Sequence, residues 1–486
     1  MKGSTLILFI LLMQLILTST IIRIASGNLN FWRQPTTWLY STWVIGLILL
    51  SLPIYKFQEE FTIWSGSYIC IALFAFPVGA IAATFLSPRK IKPALSVYKP
   101  TNTERLAFWI LVGGIIGGLL NILNAYLGGG ISMADRLDPQ NAALVRALHM
   151  EGEESHIGPL FGPANAAYSI GGIGLIIHFI MKGSSSKQED KTNKFSSMTA
   201  ILFIVISGIY SVVFAGGRMT IVLYTILSLI AYSSAKRATG QKTFKIKSNP
   251  VAQLVVFIGI IITGTMIWFS STTFLEKRTA NAEPETLLYR THRAKFAPEI
   301  QQFTTASKSV GYAIFSLSYA SHPIPTLVFY SDLPGSRLPG PLWGQYSFPF
   351  LARYITRAFG TYDPNDWAES RATVFGPLQD INFGTNVWAT LVRDLLVDFG
   401  FLGSIIFMMG LGFITQKLYI SETQNPTVGD LTLLALMRLL LLFSGLNSLL
   451  YMSQYYYALH FAVVYWFFTN RKKKATNSVN QLGLER

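Results

Sequence analysis

The stretch GIYSVVFAGGRMTIVLYTIL, Gly208 to Leu227, carries a single charge, Arg218, where two apolar segments meet with no room for an ordinary loop. An arginine at membrane depth costs about 2.5 to 3.5 kcal/mol on insertion scales and by default marks function. Gly216 and Gly217 just before it let a ligand or another backbone come close. No acid stands nearby in sequence to neutralise the charge. An anionic partner is therefore expected, because a guanidinium grips phosphate with a two-pronged fork and cannot lose its charge. The competing reading is an arginine that snorkels to the interface from a helix end.

A second constellation lies in FGTNVWATLVRDLLVDFGFLGSIIFMMGLGF. Asn386, Thr390, Asp394 and Asp398 recur every fourth residue, with Arg393 alongside. That spacing puts the four on one face of a helix. From Phe401 onward the segment is apolar all round, so one long helix is expected to start in an aqueous cavity and then enter lipid. Asp398 and Asp394 are candidate general bases for an acceptor hydroxyl; alternatively, Arg393 and the two carboxylates form a local ion cluster that orients the helix. A third set is the cations Arg290, His292 and Arg293 in YRTHRAK, followed by Arg337, Arg353, Arg357 and Arg371. Taken singly these are surface residues; converging with Arg218 they would bind an anion. His322 reads as a turn residue, and Asp363 and Asp366 are further carboxylate candidates.

These residues need elements to hold them. The 486-residue chain is 51% hydrophobic and only 13% charged, which is the composition of an integral membrane protein. A spanning helix takes about 20 mostly apolar residues. Eleven such segments are predicted, centred on Ile10, Ile45, Leu73, Gly114, Gly171, Val205, Ile226, Ile260, Ile406, Leu439 and Ala462. Backbone groups in hydrocarbon must bond within their own segment, so the predicted fold class is all-α, a polytopic membrane protein. One integral membrane domain, residues 1–486, is expected, with residues 271–386 inserted as a large loop between spanning helices 8 and 9.

The formal net charge of +15 invites a nucleic-acid partner, but the positions of the charges argue against one. Lysine and arginine gather in SPRKIKPALSVYKPTNTER, KGSSSKQEDKTNK, AKRATGQKTFKIK and RKKK, all beside helix ends. This is the positive-inside pattern. It predicts a cytoplasmic C-terminus, an outer N-terminus, and an outer face that holds Arg218 and the 271–386 loop. The first part of that loop alternates charged and apolar residues at helical spacing and is expected to form interfacial helices. The part from His322 to Trp367 is dense in proline, glycine and aromatics and is expected to form turns.

The lone Cys70 excludes a disulfide framework. The sequence has no phosphate-binding glycine loop and no metal-ligand spacing, so neither ATP-driven transport nor metal-assisted glycosyl transfer is expected. An outer, metal-free site rich in arginine, aromatics and polar groups suits an amphiphile with a phosphate head and a sugar.

On FAGGRMTI, the long outer loop two helices later and TNVWATLVRDLLVDFGFLG, the chain resembles the bacterial oligosaccharide repeat-unit polymerases, the Wzy-type O-antigen, common-antigen and capsule polymerases. Arg218, Asn386 and Asp398 match the motif positions. The Arg/Gly spacing of two outer loops in some members is absent here, so the loop arginines are not carried over. The resemblance implies a metal-independent fold of the glycosyltransferase C type in the inner (plasma) membrane and no cofactor. It also implies an undecaprenyl-diphosphate-linked oligosaccharide as substrate, in contact with the lipid bilayer, and a chain-length regulator protein as partner. An O-antigen ligase is disfavoured because Thr385-Asn386 stands where ligases carry His-Asn. A lipid-linked oligosaccharide flippase is disfavoured because the polar residues sit at outer helix ends.

Overall fold

The computed structural model describes residues 2–26, 33–87, 97–100, 102–127, 157–184, 194–211, 219–240, 282–333, 342–359, 366–381, 389–424, 426–450 and 452–484. In chain order the elements are α1 (Lys2–Ser26), α2 (Pro35–Ser51), β1 (Tyr55–Phe57), α3 (Ile63–Phe85), α4 (Thr103–Leu127), α5 (Phe161–Ser184), α6 (Lys194–Ile209) and α7 (Met219–Ala238). They continue with α8 (Pro284–His292), β2 (Ala294–Phe296), α9 (Pro298–Ala306), α10 (Lys308–Ser318), α11 (Pro323–Asp332) and α12 (Pro349–Ala358). The last are α13 (Asp366–Asp380), α14 (Leu391–Gln424), α15 (Val428–Phe443) and α16 (Ser453–Leu484).

The protein is mostly helical. Among the described residues five helices are long and apolar enough to cross a membrane: Gly3–Ala25, Ile63–Phe85, Thr103–Leu127, Gly158–Ser184 and Leu391–Gln424. The chain is a multi-pass membrane protein. The other expected span centres also fall in helices, except Ile260, which lies outside the described residues. Of these, α2 has 17 residues, and α6 and α15 have 16 each, short of the about 20 that cross hydrocarbon unaided. The all-α expectation needs one correction. β1 and β2 pair antiparallel, Tyr55 opposite Phe296 and Phe57 opposite Ala294, in a ribbon that ties the loop after α2 to the large insertion.

Two compact units emerge. The first comprises Met1–Arg89, Ile246–Lys417 and Leu440–Tyr451. Here α1, α2 and α3 pack together, and α3 also packs on α11. Gln14 ties the three helices together, accepting from the Tyr40 hydroxyl at 3.0 Å and donating to the Cys70 carbonyl at 3.3 Å. Where α3 meets α14 the backbones touch. A Cβ on Gly79 would overlap the Met409 carbonyl, and one on Gly412 would overlap that of Phe76. Small residues that let backbones close up are how spanning helices associate without a hydrophobic drive between them.

The insertion departs from the expected turns. Its proline-rich part contains α11 and α12 and ends where α13 begins. The reason is local: Pro323 and Pro349 stand at helix starts, where a missing N–H is no loss and a fixed φ favours the first turn. The same device starts α8 and α9. α8, α9 and α10 pack with the β1–β2 ribbon around an apolar cluster of Tyr55, Leu288, Ala294, Phe296 and Phe315. The insertion is fastened to α3, whose N-cap Thr62 donates to Asp332 at 2.7 Å while Trp64 donates to the Ser331 carbonyl at 2.9 Å.

The second unit comprises Lys90–Lys245, Leu418–Leu439 and Met452–Arg486. α4 packs closely on α5, and α5 also packs on α7 and α16. At the α4–α5 crossing a Cβ on Gly114 would come within 2.6 Å of the Gly171 Cα. Tyr168, Phe203 and Tyr224 fill the core beside them. A second lock is ionic. Glu422 receives Arg438 at 2.6 Å and Arg237 at 3.2 Å, and Ser234 accepts from Arg438 at 2.6 Å.

Candidate functional site

The start of α14 gathers the most chemistry. Thr390 begins the helix, its hydroxyl accepting from the Arg393 N–H at 3.0 Å, as an N-cap should. Arg393 and Asp394 then form a fully buried pair, 1% and 0% exposed. Arg393 donates to Asp394 Oδ1 through Nε at 2.9 Å and Nη2 at 2.6 Å, and Nη2 also donates to the Tyr346 hydroxyl at 2.9 Å. The rings of Tyr330 and Tyr346 face the guanidinium with centroids at 5.4 and 5.5 Å, a cation–π arrangement. Among the described residues Arg393 Nη1 finds no hydrogen-bond partner. Burial pushes the Tyr330 phenol up to about 12, and it stays a neutral donor to the Val374 carbonyl.

Asp398, one turn on, does a different job. Its carboxylate accepts the N–H groups of Tyr346 at 3.0 Å and Ser347 at 2.6 Å, and its main-chain carbonyl accepts that of Trp343 at 2.9 Å. One residue thus grips the Leu342–Phe348 loop at three points. Within that loop Trp343 and Gly344 have φ of 52° and 89°. For glycine this is ordinary; for a bulky residue it costs about 1 to 3 kcal/mol. Trp343 is 78% exposed.

The expected single long helix is instead broken just past Asp398. Gly400 has φ 66° and ψ −173°, a region open essentially to glycine alone. A Cβ there would meet nothing within 4 Å, so a substitution acts through the backbone only. Gly400→Ala is expected to lower stability by about 1 to 3 kcal/mol, read as a lower melting temperature of the purified protein. An unchanged midpoint would mean that the break is not needed.

Of the loop cations, Arg290, Arg293 and Arg357 do not share this place. Arg290 is exposed. Arg293 caps α8 in the left-handed conformation and donates to Gln58 Oε1 through Nε at 2.8 Å, with Glu59 at 3.4 Å. Burial raises the Glu59 carboxyl, and the Arg293 charge opposes that rise. Arg357 is exposed near the end of α12. Arg353 lies on α12 and Arg371 on α13. Arg218, Arg337, Asn386 and Asp363 lie outside the described residues.

His292 lies in the core of the insertion, stacked on His322 with centroids 3.9 Å apart. Ser318 donates its one hydroxyl proton to the Phe315 carbonyl at 2.6 Å, so it accepts from His292 Nδ1–H at 2.7 Å. Burial holds both imidazoles neutral, His322 down to about 3 and His292 well below its usual range, the latter also through its neighbour. Because the unfolded state takes up these protons first, stability is full above about 6.5 and falls with pH below it, by about 1.4 kcal/mol per unit for each histidine. The hydrogen-exchange protection of residues 284–332, corrected for the intrinsic exchange rate at each pH, is expected to fall from pH 7 to pH 5 in the wild type and less so in His322→Phe. Equal acid sensitivity in the two would exclude this pair as the cause.

Sequence periodicity found Asp394, Asp398 and Thr390 but missed Tyr330, Tyr346, Ser347 and Trp343, which the fold brings in from the insertion. Their one signal is the density of aromatics between Phe329 and Phe350. Among the described residues no group of three or more histidine, cysteine, aspartate or glutamate side chains could hold a metal ion. No family model, curated protein or solved structure matches the chain.

Proposed function

We propose that this chain is a metal-independent membrane glycosyltransferase that polymerises undecaprenyl-diphosphate-linked oligosaccharide repeat units into surface polysaccharide, O-antigen or capsule, on the outer face of the bacterial inner membrane. The proposed architecture has eleven spans, an outer N-terminus, a cytoplasmic C-terminus and a glycosyltransferase C-like fold. In the reaction an acceptor sugar hydroxyl attacks the anomeric carbon of the growing chain. The new glycosidic C–O bond forms as the bond to the diphosphate breaks, the lipid diphosphate leaves with the electron pair, and the hydroxyl proton passes to a base. Arg218 stabilises the leaving diphosphate, whose charge grows in the transition state. Asp394 and Asp398 are both engaged by protein partners; the base is one of the carboxylates Asp398, Asp394, Asp363 and Asp366.

The observation that carries this reading is the fold of ATLVRDLLVDFG, residues 389–400. Its charges are buried and organise an aromatic loop of the insertion through Arg393, Asp394 and Asp398. The test is a deletion strain. Loss of a polymerase leaves single repeat units attached downstream, whereas loss of a ligase leaves long chains on the carrier and loss of a flippase traps units inside. Unchanged polysaccharide length in the deletion strain would end the proposal.

A further inference from the structure

Trp343 is a tryptophan where a glycine would be easier. Its φ of 52° lies in the left-handed region, its neighbour Gly344 is also left-handed, and the residue is 78% exposed. Asp398 holds it there: the carbonyl takes the Trp343 N–H, and the carboxylate takes those of Tyr346 and Ser347. The fully buried Arg393 and Asp394 anchor the same loop through the Tyr346 hydroxyl. Such strain persists only where the surroundings over-determine it, and it gathers at ligand clamps. A tryptophan that merely anchors the protein at the interface needs no such backbone, since any helix end presents one.

An indole offers a broad apolar face and one N–H donor at its edge. That pairing matches a pyranose ring, with C–H groups on one face and hydroxyls around the rim. We infer that Trp343 is a stacking platform for a sugar ring, held in place by Asp398. The choice of a sugar rests on the polymerase reading above; the platform itself rests on the loop geometry.

The test uses the full chain in lipid nanodiscs and, as probe, oligosaccharide released by mild acid from the surface polysaccharide of the cells that make this protein. Binding is followed by saturation-transfer NMR. Trp343→Gly, which suits the backbone better, is expected to melt no lower than wild type yet to bind about tenfold more weakly, a difference of about one decade in Kd. Trp343→Phe keeps a ring and is expected to stay within about threefold. Equal binding by wild type and Trp343→Gly, or no binding by either, overturns the inference. So does quenching by brominated lipids of the emission that wild type has and Trp343→Phe lacks, which would make Trp343 a membrane anchor. The polymerase reading fails on a separate readout, the polysaccharide length of the deletion strain.

Discussion

Arg218→Ala is expected to leave the chain folded and inserted while surface polysaccharide collapses to single repeat units. Truncating one member of a desolvated charge pair costs about 2 to 5 kcal/mol. At about 1.36 kcal/mol per decade this is at least tenfold in rate. Arg218→Lys restores a charge without the fork and is expected to recover only part of the length. The measurement is the ladder of chain lengths on a gel, with membrane abundance of the variant as control. A normal ladder from Arg218→Ala would remove this residue from the mechanism.

The second large effect concerns stability. Arg393→Met strands Asp394, a fully buried carboxylate, and is expected to destabilise by about 3 to 5 kcal/mol. Asp394→Leu strands the guanidinium to similar effect. The double variant Arg393→Met with Asp394→Leu removes both charges in roughly equal volume and is expected to recover most of the loss, because buried pairs often break even against apolar replacements. Thermal unfolding of the three purified variants supplies the cycle, and a coupling near zero would contradict the pairing. If the double variant is stable but makes only short polysaccharide, the pair matters for presenting the Tyr346 loop rather than for holding the fold.

The helices were readable because hydrocarbon leaves an apolar run of twenty residues no alternative. Pattern alone did not reveal where α14 breaks, since Gly400 sits among other glycines in an apolar stretch and only its ψ of −173° marks it out. The polar face was legible through its four-residue spacing, which joined Thr390 to Asp394 and Asp398. Arg393 with Asp394 was harder, because adjacent helical positions do not face each other. Tyr330 and Tyr346 were invisible for a plainer reason: they lie far away in the chain and reach Arg393 only through tertiary folding. The prolines misled in the opposite direction, read as turn formers where several are helix starters. His292, read with the cations, is neutral because it is enclosed: burial penalises the charged ring, which stacks on His322 and has Ser318 at Nδ1.

The ribbon of β1 and β2 also says something about the order of assembly. Gln58 and Arg293, joined at its end, are 235 residues apart in sequence. At about 5 to 20 residues per second of synthesis, the early strand waits on the order of 10 to 50 s for its partner. During that interval its unpaired N–H and C=O groups offer a template to any passing strand. A nascent chain stalled before Ala294 would therefore present this edge to chaperones and proteases, so translation speed between the two strands bears directly on yield.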